Sequence, residues 1–202
     1  MKNYLLIVLI CMFVFFFPQQ TRAAEKIAYF GGGCFWCTEN DFAKIHGVKD
    51  VVSGYMGGHV AHPAYRDVSQ GKTGHYEIVK VVYDDAKVSF QNLVSAFWRM
   101  IDPTDAGGSF CDRGQQYSSV IFYNSEHQKK VSEKALMALE NSRKFLKPVA
   151  TQILTSQTFY PAENYHQDYA KNNPIRYKFY RSRCGRDNFI SRHWDGDKNV
   201  YR

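Results

Sequence analysis

Between Lys26 and Leu154 the chain alternates between two hydrophobic rhythms, one of period two and one of period 3.6. Residues 26–30 predict a short strand closed by Gly31-Gly32-Gly33. Residues 37–45 predict a helix with Phe42 and Ile45 inward, ended by His46-Gly47. The β-branched stretch 48–56 reads as a second strand, 59–71 as an aperiodic loop, and 76–83 as a central strand. The most regular segment follows Ser89: Phe90, Leu93, Val94, Phe97, Trp98 and Ile101 line one face of a helix that Ser89 caps and Asp102-Pro103 ends. A Gly-rich loop then runs to Gln116, and 118–123 reads as a strand. Ser125-x-x-Gln128 has the form of a capping box, opening a helix with Val131, Ala135, Ala138 and Leu139 inward and a charged outer face through Arg143. Residues 149–154 give a last strand. Beyond Ala162 the pattern supports one short helix over 163–171, then an irregular tail from Asn173 wrapped on the domain. The order β-α-β-β-α-β, followed by α-β, is the split βαβ arrangement of an α/β two-layer sandwich, a ferredoxin-like plait with a mixed sheet.

The N-terminus breaks both rhythms. Lys2 precedes an unbroken apolar run from Leu5 to Phe17, which Pro18-Gln19-Gln20 interrupts before Thr21-Arg22-Ala23. This is the layout of a secretory signal peptide, with cleavage expected after Ala23 or Ala24 and a single domain over 24–202. Thirteen apolar residues fall short of the roughly 20 that span a bilayer core, so no stable membrane insertion is expected, with an uncleaved tether as the alternative. Ile10 before Cys11 speaks against lipidation. The expected location is therefore periplasmic or extracellular.

Composition narrows the classes. With 202 residues, 45% apolar and 16% aromatic, the chain is too short for a multidomain assembly and too apolar for disorder. Removing Lys2 and Arg22 leaves 24 basic against 19 acidic side chains. That whole excess of five is matched by the stretch 174–193, where Arg176, Lys178, Arg181, Arg183, Arg186 and Arg192 face Asp187. The interleaved aromatics would suit a nucleic-acid surface, but a basic tail packed on an exported domain is the preferred reading, so no nucleic acid is expected. His59-x-x-His62 lacks partners for a metal and none is assigned; no cofactor is expected.

Four cysteines remain in the mature chain, Cys34, Cys37, Cys111 and Cys184. Gly33-Cys34-Phe35-Trp36-Cys37 ends a strand and opens a helix, where unpaired N–H groups and the positive end of the helix dipole favour a thiolate at Cys34. A structural disulfide or half of a zinc site compete with this reading. From spacing alone a thioredoxin-like disulfide exchanger leads.

The flanking residues change that ranking. Gly-Cys-Phe-Trp, with His62-Pro63-Ala64-Tyr65-Arg66, Gly74-His75-Tyr76-Glu77, Asp102-Pro103-Thr104, Asp112-Arg113-Gly114-Gln115-Gln116-Tyr117 and Ala162-Glu163-Asn164-Tyr165-His166-Gln167, resembles the peptide methionine sulfoxide reductase A family. The resemblance runs from about Ile27 to about Tyr180 and implies the same two-layer fold. It implies reduction of methionine S-sulfoxide, free or in oxidised proteins, as repair of oxidative damage. Cys34 then stands as nucleophile, Glu77 as proton donor, and Tyr65 and Tyr117 as hydroxyls holding the sulfoxide oxygen. Phe35 and Trp36 form the wall for the S-methyl group, and Asp112 positions substrate or water. The resemblance also implies recycling by thioredoxin or a thioredoxin-like reductant. Cys37 is the expected resolving thiol, Cys184 on a mobile tail the runner-up, and Cys111 structural. Ser118-Ser119 departs from the Arg-Ser often found there, and a monomer is expected.

Overall fold

The computed structural model describes residues 25–194; the segment read as a signal peptide lies outside the described residues. In chain order the elements are β1 (Glu25–Gly31), α1 (Phe35–Phe42), β2 (Val48–Met56), α2 (Tyr65–Ser69), β3 (Tyr76–Asp84) and α3 (Phe90–Trp98). They continue with β4 (Gly108–Ser109), β5 (Asp112–Arg113), β6 (Val120–Tyr123), α4 (Glu126–Asn141), β7 (Gln152–Thr155) and β8 (Tyr160–Pro161). Three helices end the described chain: α5 (Tyr169–Asn172), α6 (Pro174–Arg183) and α7 (Arg186–Trp194).

The main sheet has the order β7-β6-β1-β3-β2-β8. Its inner four strands, β6-β1-β3-β2, are mutually antiparallel and reproduce the plait expected from the element order. The parallel β6–β7 pair makes the sheet mixed. Period-two alternation sorts β3 cleanly: Val79, Val81 and Tyr83 enter the main core, while Tyr76 and Ile78 join a smaller cluster with Met56, Val120 and Phe122. Glu77 has the parity of Val79, so the strand drives this carboxyl into the main core face.

Phe30 links the layers. Its ring lies 4.7 Å from Phe42 of α1 and 5.1 Å from Phe97 of α3, and all three are fully buried. Aromatic burial of this kind supplies most of the area that holds helices on a sheet. Ser89 caps α3 by accepting from the Asn92 N–H at 3.1 Å. At α4, Ser125 accepts from the Gln128 N–H at 3.3 Å, but the Gln128 carbonyl takes the Asn124 N–H rather than that of the cap residue. The inner face of α4 also differs from expectation: Leu136 packs against the core and Ala138 is exposed.

Three further expectations are corrected. Helix α1 starts at Phe35, two residues early, because Cys34 itself is the cap. The loop over 59–71 contains the short helix α2, too brief to show a period. The tail from Asn173 is helical, not irregular. Pro174 opens α6 at a position where a missing N–H costs nothing. The tail is attached by polar contacts together with the rings of Phe189 and Trp194 of α7, which pack on Phe145. Asn40 donates to the Tyr177 hydroxyl at 2.9 Å, Arg181 donates to Asp41 at 2.8 Å, and Arg186, 1% exposed, donates to the Gly32 carbonyl at 2.8 Å. A disulfide joins Cys111 to Cys184 across 73 residues of sequence.

That covalent closure should stabilise the domain chiefly by restricting the unfolded chain. Replacing Cys111 and Cys184 together by serine is expected to lower unfolding free energy by about 2–4 kcal/mol, read by urea denaturation without reductant. An unchanged midpoint would show that the tail is held without it.

Candidate active site

The turn from β1 to α1 is built for close approach. Gly33 has φ +87°, and a Cβ there would lie 2.5 Å from the Ser109 Cβ, so only glycine fits. Cys34 follows as the cap of α1; its carbonyl receives the N–H groups of Cys37 at 3.1 Å and Thr38 at 3.3 Å. The next N–H, that of Phe35, donates to Glu77 Oε2 at 3.1 Å. The helix terminus thus holds the carboxyl of Glu77 beside Cys34, on the residue that follows it.

Burial sets the protonation of this carboxyl. Glu77 is 2% exposed, and loss of hydration pushes it up to about 8 against the pull of the Phe35 N–H. Glu77 is therefore a protonated acid at neutral pH. The expectation for Cys34 needs correction. Burial, then the hydrogen bond with Cys37, hold the Cys34 thiol well above the usual range, since the first-turn donor is spent on Glu77. The same hydrogen bond lowers Cys37 to about 7, helped by the charges of Arg186 and Arg181. The dithiol as a pair gives up its first proton near neutrality and retains the second.

Tyr65 and Tyr117 enter from α2 and from a 3-10 turn over Gln115–Tyr117. Each is raised first by burial and then by the neighbouring carboxyl of Glu77, Tyr65 to about 12. Both remain hydroxyl donors at any working pH. Glu163 anchors this wall, accepting the Tyr65 N–H at 2.8 Å and the Tyr55 hydroxyl at 2.9 Å. Phe35 is buried at 1% exposure in the core, so its ring supports the pocket from below. Trp36 is the more open wall. It stacks on Tyr169 at 3.7 Å and donates its indole N–H to His166 Nδ1 at 3.0 Å.

Asp112 sits on β5, and its carboxylate accepts a hydrogen bond from the Tyr180 hydroxyl of α6. Burial raises it, while that hydrogen bond and the charge of Arg186 oppose the rise. The structure thus brings Cys34, Cys37, Glu77, Tyr65, Tyr117, Asp112, Phe35 and Trp36 to one site. It does not leave Cys184 on a mobile tail: that sulfur is bonded to Cys111. Cys111, Asp112 and Cys184 group their ligand atoms within 4.8 Å, yet both sulfurs are committed to each other and offer no thiolate to a metal. His166 and Tyr169 lie in or beside a motif singled out from the sequence without a role. Tyr180 stands out in the sequence only as one of the aromatics interleaved with the basic residues of 174–193, which point to no role at this site.

A dithiol at a strand-to-helix turn, facing a protonated carboxyl and two tyrosine hydroxyls on a ferredoxin-like sandwich, defines a thiol-dependent oxidoreductase. Residues 26–198 match the family described as peptide methionine sulfoxide reductase, and the chain belongs to it, within the MsrA branch. It is 50% identical to MsrA of Halalkalibacterium halodurans over 167 residues, 83% of this chain and 95% of that protein. It is 45% identical to MsrA of Listeria monocytogenes over 88% of this chain and all of that protein. Identity is also 45% to the MsrA/MsrB protein of Vibrio cholerae over 91% of this chain, which spans only 48% of that longer relative. Among solved structures, Saccharomyces cerevisiae Mxr1 in reduced form superposes with a TM-score of 0.69 at 32% identity, covering 76% of this chain and 88% of that one. Methionine sulfoxide reductase A of Corynebacterium diphtheriae gives 0.68 at 32% identity, covering 76% and 77%.

Glu77 yields a direct test. Its pKa is raised from 4.5 to about 8, so the folded state holds a proton that the unfolded state releases, and this group's contribution to stability falls as pH rises from about 4.5 through 8. A protonated-carboxyl infrared band should disappear with a midpoint near 8 and be missing in Glu77→Gln. The variant should gain stability over the native chain across the same interval. A band that titrates near 4.5 would contradict the assignment.

Proposed function

We propose that the protein reduces methionine S-sulfoxide, free and in oxidised proteins, and that Cys34, Glu77 and Cys37 divide the chemistry. The observation that carries this reading is the Phe35 N–H to Glu77 hydrogen bond, which fixes a protonated carboxyl next to the buried thiol. The substrate methyl group lies toward Trp36 and Phe35, and its oxygen toward Glu77, Tyr65 and Tyr117. The Cys34 thiolate attacks the sulfoxide sulfur while Glu77 gives its proton to the oxygen. The substrate S–O bond breaks as the protonated oxygen passes to the Cys34 sulfur, so methionine leaves and Cys34 becomes a sulfenic acid. Two hydroxyls and one carboxylic acid around the oxygen stabilise the charge that builds there.

Cys37 then attacks the Cys34 sulfur. A Cys34–Cys37 disulfide forms and water departs. A thioredoxin-like dithiol reduces that disulfide and is itself oxidised. The place of Cys37 three residues after Cys34 in the first turn of α1 supports it as resolver, and the Cys111–Cys184 bond counts against the tail route. Export fits the same picture. The apolar leader at the N-terminus and a standing disulfide on the tail both suit an oxidising compartment outside the cytosol, where a dithiol donor of that compartment serves the enzyme. Among the described residues no helix is long and apolar enough to cross a membrane.

Separated sulfoxide epimers with dithiothreitol test the chemistry. The native chain should reduce the S epimer and leave the R epimer essentially untouched, and Cys34→Ser should abolish the reaction. Glu77→Gln should slow single-turnover reduction by about 10²–10⁴-fold at neutral pH. Cys37→Ser should complete one stoichiometric turnover and then fail to recycle with a thioredoxin-like donor. A trapped Cys34–Cys184 disulfide in mass spectra would replace Cys37 by the tail relay. For export, N-terminal sequencing of the protein from the producing cell's envelope or medium should begin at Ala24 or Glu25. Recovery of the intact leader would support the tether instead.

A further inference from the structure

We propose that His166 is a positioning residue of the active site: its Nδ1 holds the indole of Trp36 in place and so sets which group on the substrate sulfur the pocket accepts. The inference rests on Trp36 as a wall for the S-methyl group and concerns what keeps that wall fixed. Trp36 donates its indole N–H to His166 Nδ1 at 3.0 Å, a bond between residues 130 apart in sequence. Two rings bear on the indole as well. Tyr169 stacks on one face at 3.7 Å, within 5° of parallel, and Tyr180 stands edge-on at 5.9 Å. Stacking sets the plane of the indole but lets it slide and turn within that plane. The directional hydrogen bond fixes the turn.

The imidazole suits this task. It is 2% exposed and lies against the rings of Phe35 at 5.0 Å, Tyr65 at 4.3 Å and Tyr165 at 4.2 Å. Accepting at Nδ1 requires a lone pair there, so the ring is neutral with its proton on Nε2. Burial favours that state, holding the imidazole below its ordinary range against the pull of Glu163. Nε2 is buried with no hydrogen-bond partner among the described residues, so the bond to Trp36 is the only one the ring makes there. Polar satisfaction therefore does not account for a histidine at this position, whereas the hold on Trp36 does.

The backbone around His166 is tied to three elements of the domain. The His166 N–H donates to the Glu163 carbonyl at 2.9 Å, and the Glu163 carboxylate accepts the Tyr65 N–H of α2 at 2.8 Å. The Gln167 amide pairs with both backbone groups of Ser53 on β2, at 2.9 and 3.0 Å. The Asp168 N–H donates to Glu39 of α1 at 3.0 Å. An imidazole on a segment held this way has little freedom to follow the indole, so the indole follows it. With Trp36 fixed, the space for the group on sulfur has a set size. With Trp36 free to turn, a larger group is admitted.

The test follows single turnovers of the full chain against concentration of the S epimers of methionine sulfoxide and ethionine sulfoxide, which differ by one methylene on sulfur. The native chain should prefer methionine sulfoxide by about tenfold or more. His166→Leu removes the acceptor. It should raise the half-saturating concentration of methionine sulfoxide about fivefold, shrink the preference about as much, and leave the plateau rate within about twofold. His166→Asn offers a carbonyl oxygen near the place of Nδ1 and should restore both quantities to within about twofold of native. A role in folding alone would lower the plateau for both substrates together and leave their ratio unchanged. Unchanged half-saturation and preference in His166→Leu, or failure of a folded His166→Asn to rescue them, overturns the inference. If His166→Leu does not fold, nitrogen NMR of the native His166 ring decides. A proton on Nε2 supports the hold on Trp36, and a proton on Nδ1 overturns it. A native chain that reduces neither sulfoxide overturns the activity itself, and one that reduces both equally well overturns the wall at Trp36; either result takes the positioning role with it.

Discussion

Everything at this site depends on one constraint: a carboxyl group has been driven into the apolar face of a sheet and has one backbone N–H to satisfy it. Hydration of a carboxylate is worth several kcal/mol, and a single amide donor cannot replace it, so Glu77 keeps its proton. The strand's alternation leaves no other choice of face, since Glu77 shares its parity with Val79 and Val81. The position of α1 then follows. Its first N–H must point at Glu77, which fixes Cys34 at the turn and explains why Gly33 has to be glycine.

The same constraint divides labour between the two carboxyls. Glu77 is buried in an apolar setting and keeps its proton; Asp112 is less deeply buried, and the Tyr180 hydroxyl and the charge of Arg186 oppose the rise that burial imposes on it. Arg186 belongs to this arrangement more than to the exposed basic surface. Buried against the Gly32 carbonyl, it sets a positive charge beneath the dithiol and on the far side of Asp112. A cation there is costly to bury, and its carbonyl partners together with Phe110, whose ring lies 4.7 Å away, offset part of that cost.

The C-terminal helices change the character of the site. Without them the Asp112 carboxylate would lack its hydroxyl donor, Trp36 its edge-on neighbour, and Asp41 its guanidinium. These contacts are polar and directional, and their geometry depends on the helices being placed within a few tenths of an ångström. The Cys111–Cys184 bond supplies that placement at the point where Asp112 and Tyr180 meet.

The plait was legible in the sequence because its elements bury apolar faces, and burial writes a period into the chain. Strand 48–56 was read to the residue, and the capped helix after Ser89 matches α3. The turn carrying Cys34 was also legible, since its three glycines and paired cysteines lie between a strand and a helix pattern. What tertiary structure alone decided was the charge state of Cys34 and everything contributed by the tail. Helix α1 offers its terminal donor to Glu77 instead of the thiol, a choice made by a strand 42 residues away in sequence. Helix α6 attaches through Tyr177 and Arg181, α7 through Arg186 and the rings of Phe189 and Trp194 beside Phe145, and a disulfide ties the tail to Cys111, so what holds these helices is scattered rather than a periodic stripe. Hydrophobic burial is roughly additive along a segment and leaves a local pattern; a hydrogen bond or ion pair across the fold is a relation between two distant residues, and neither one encodes it alone.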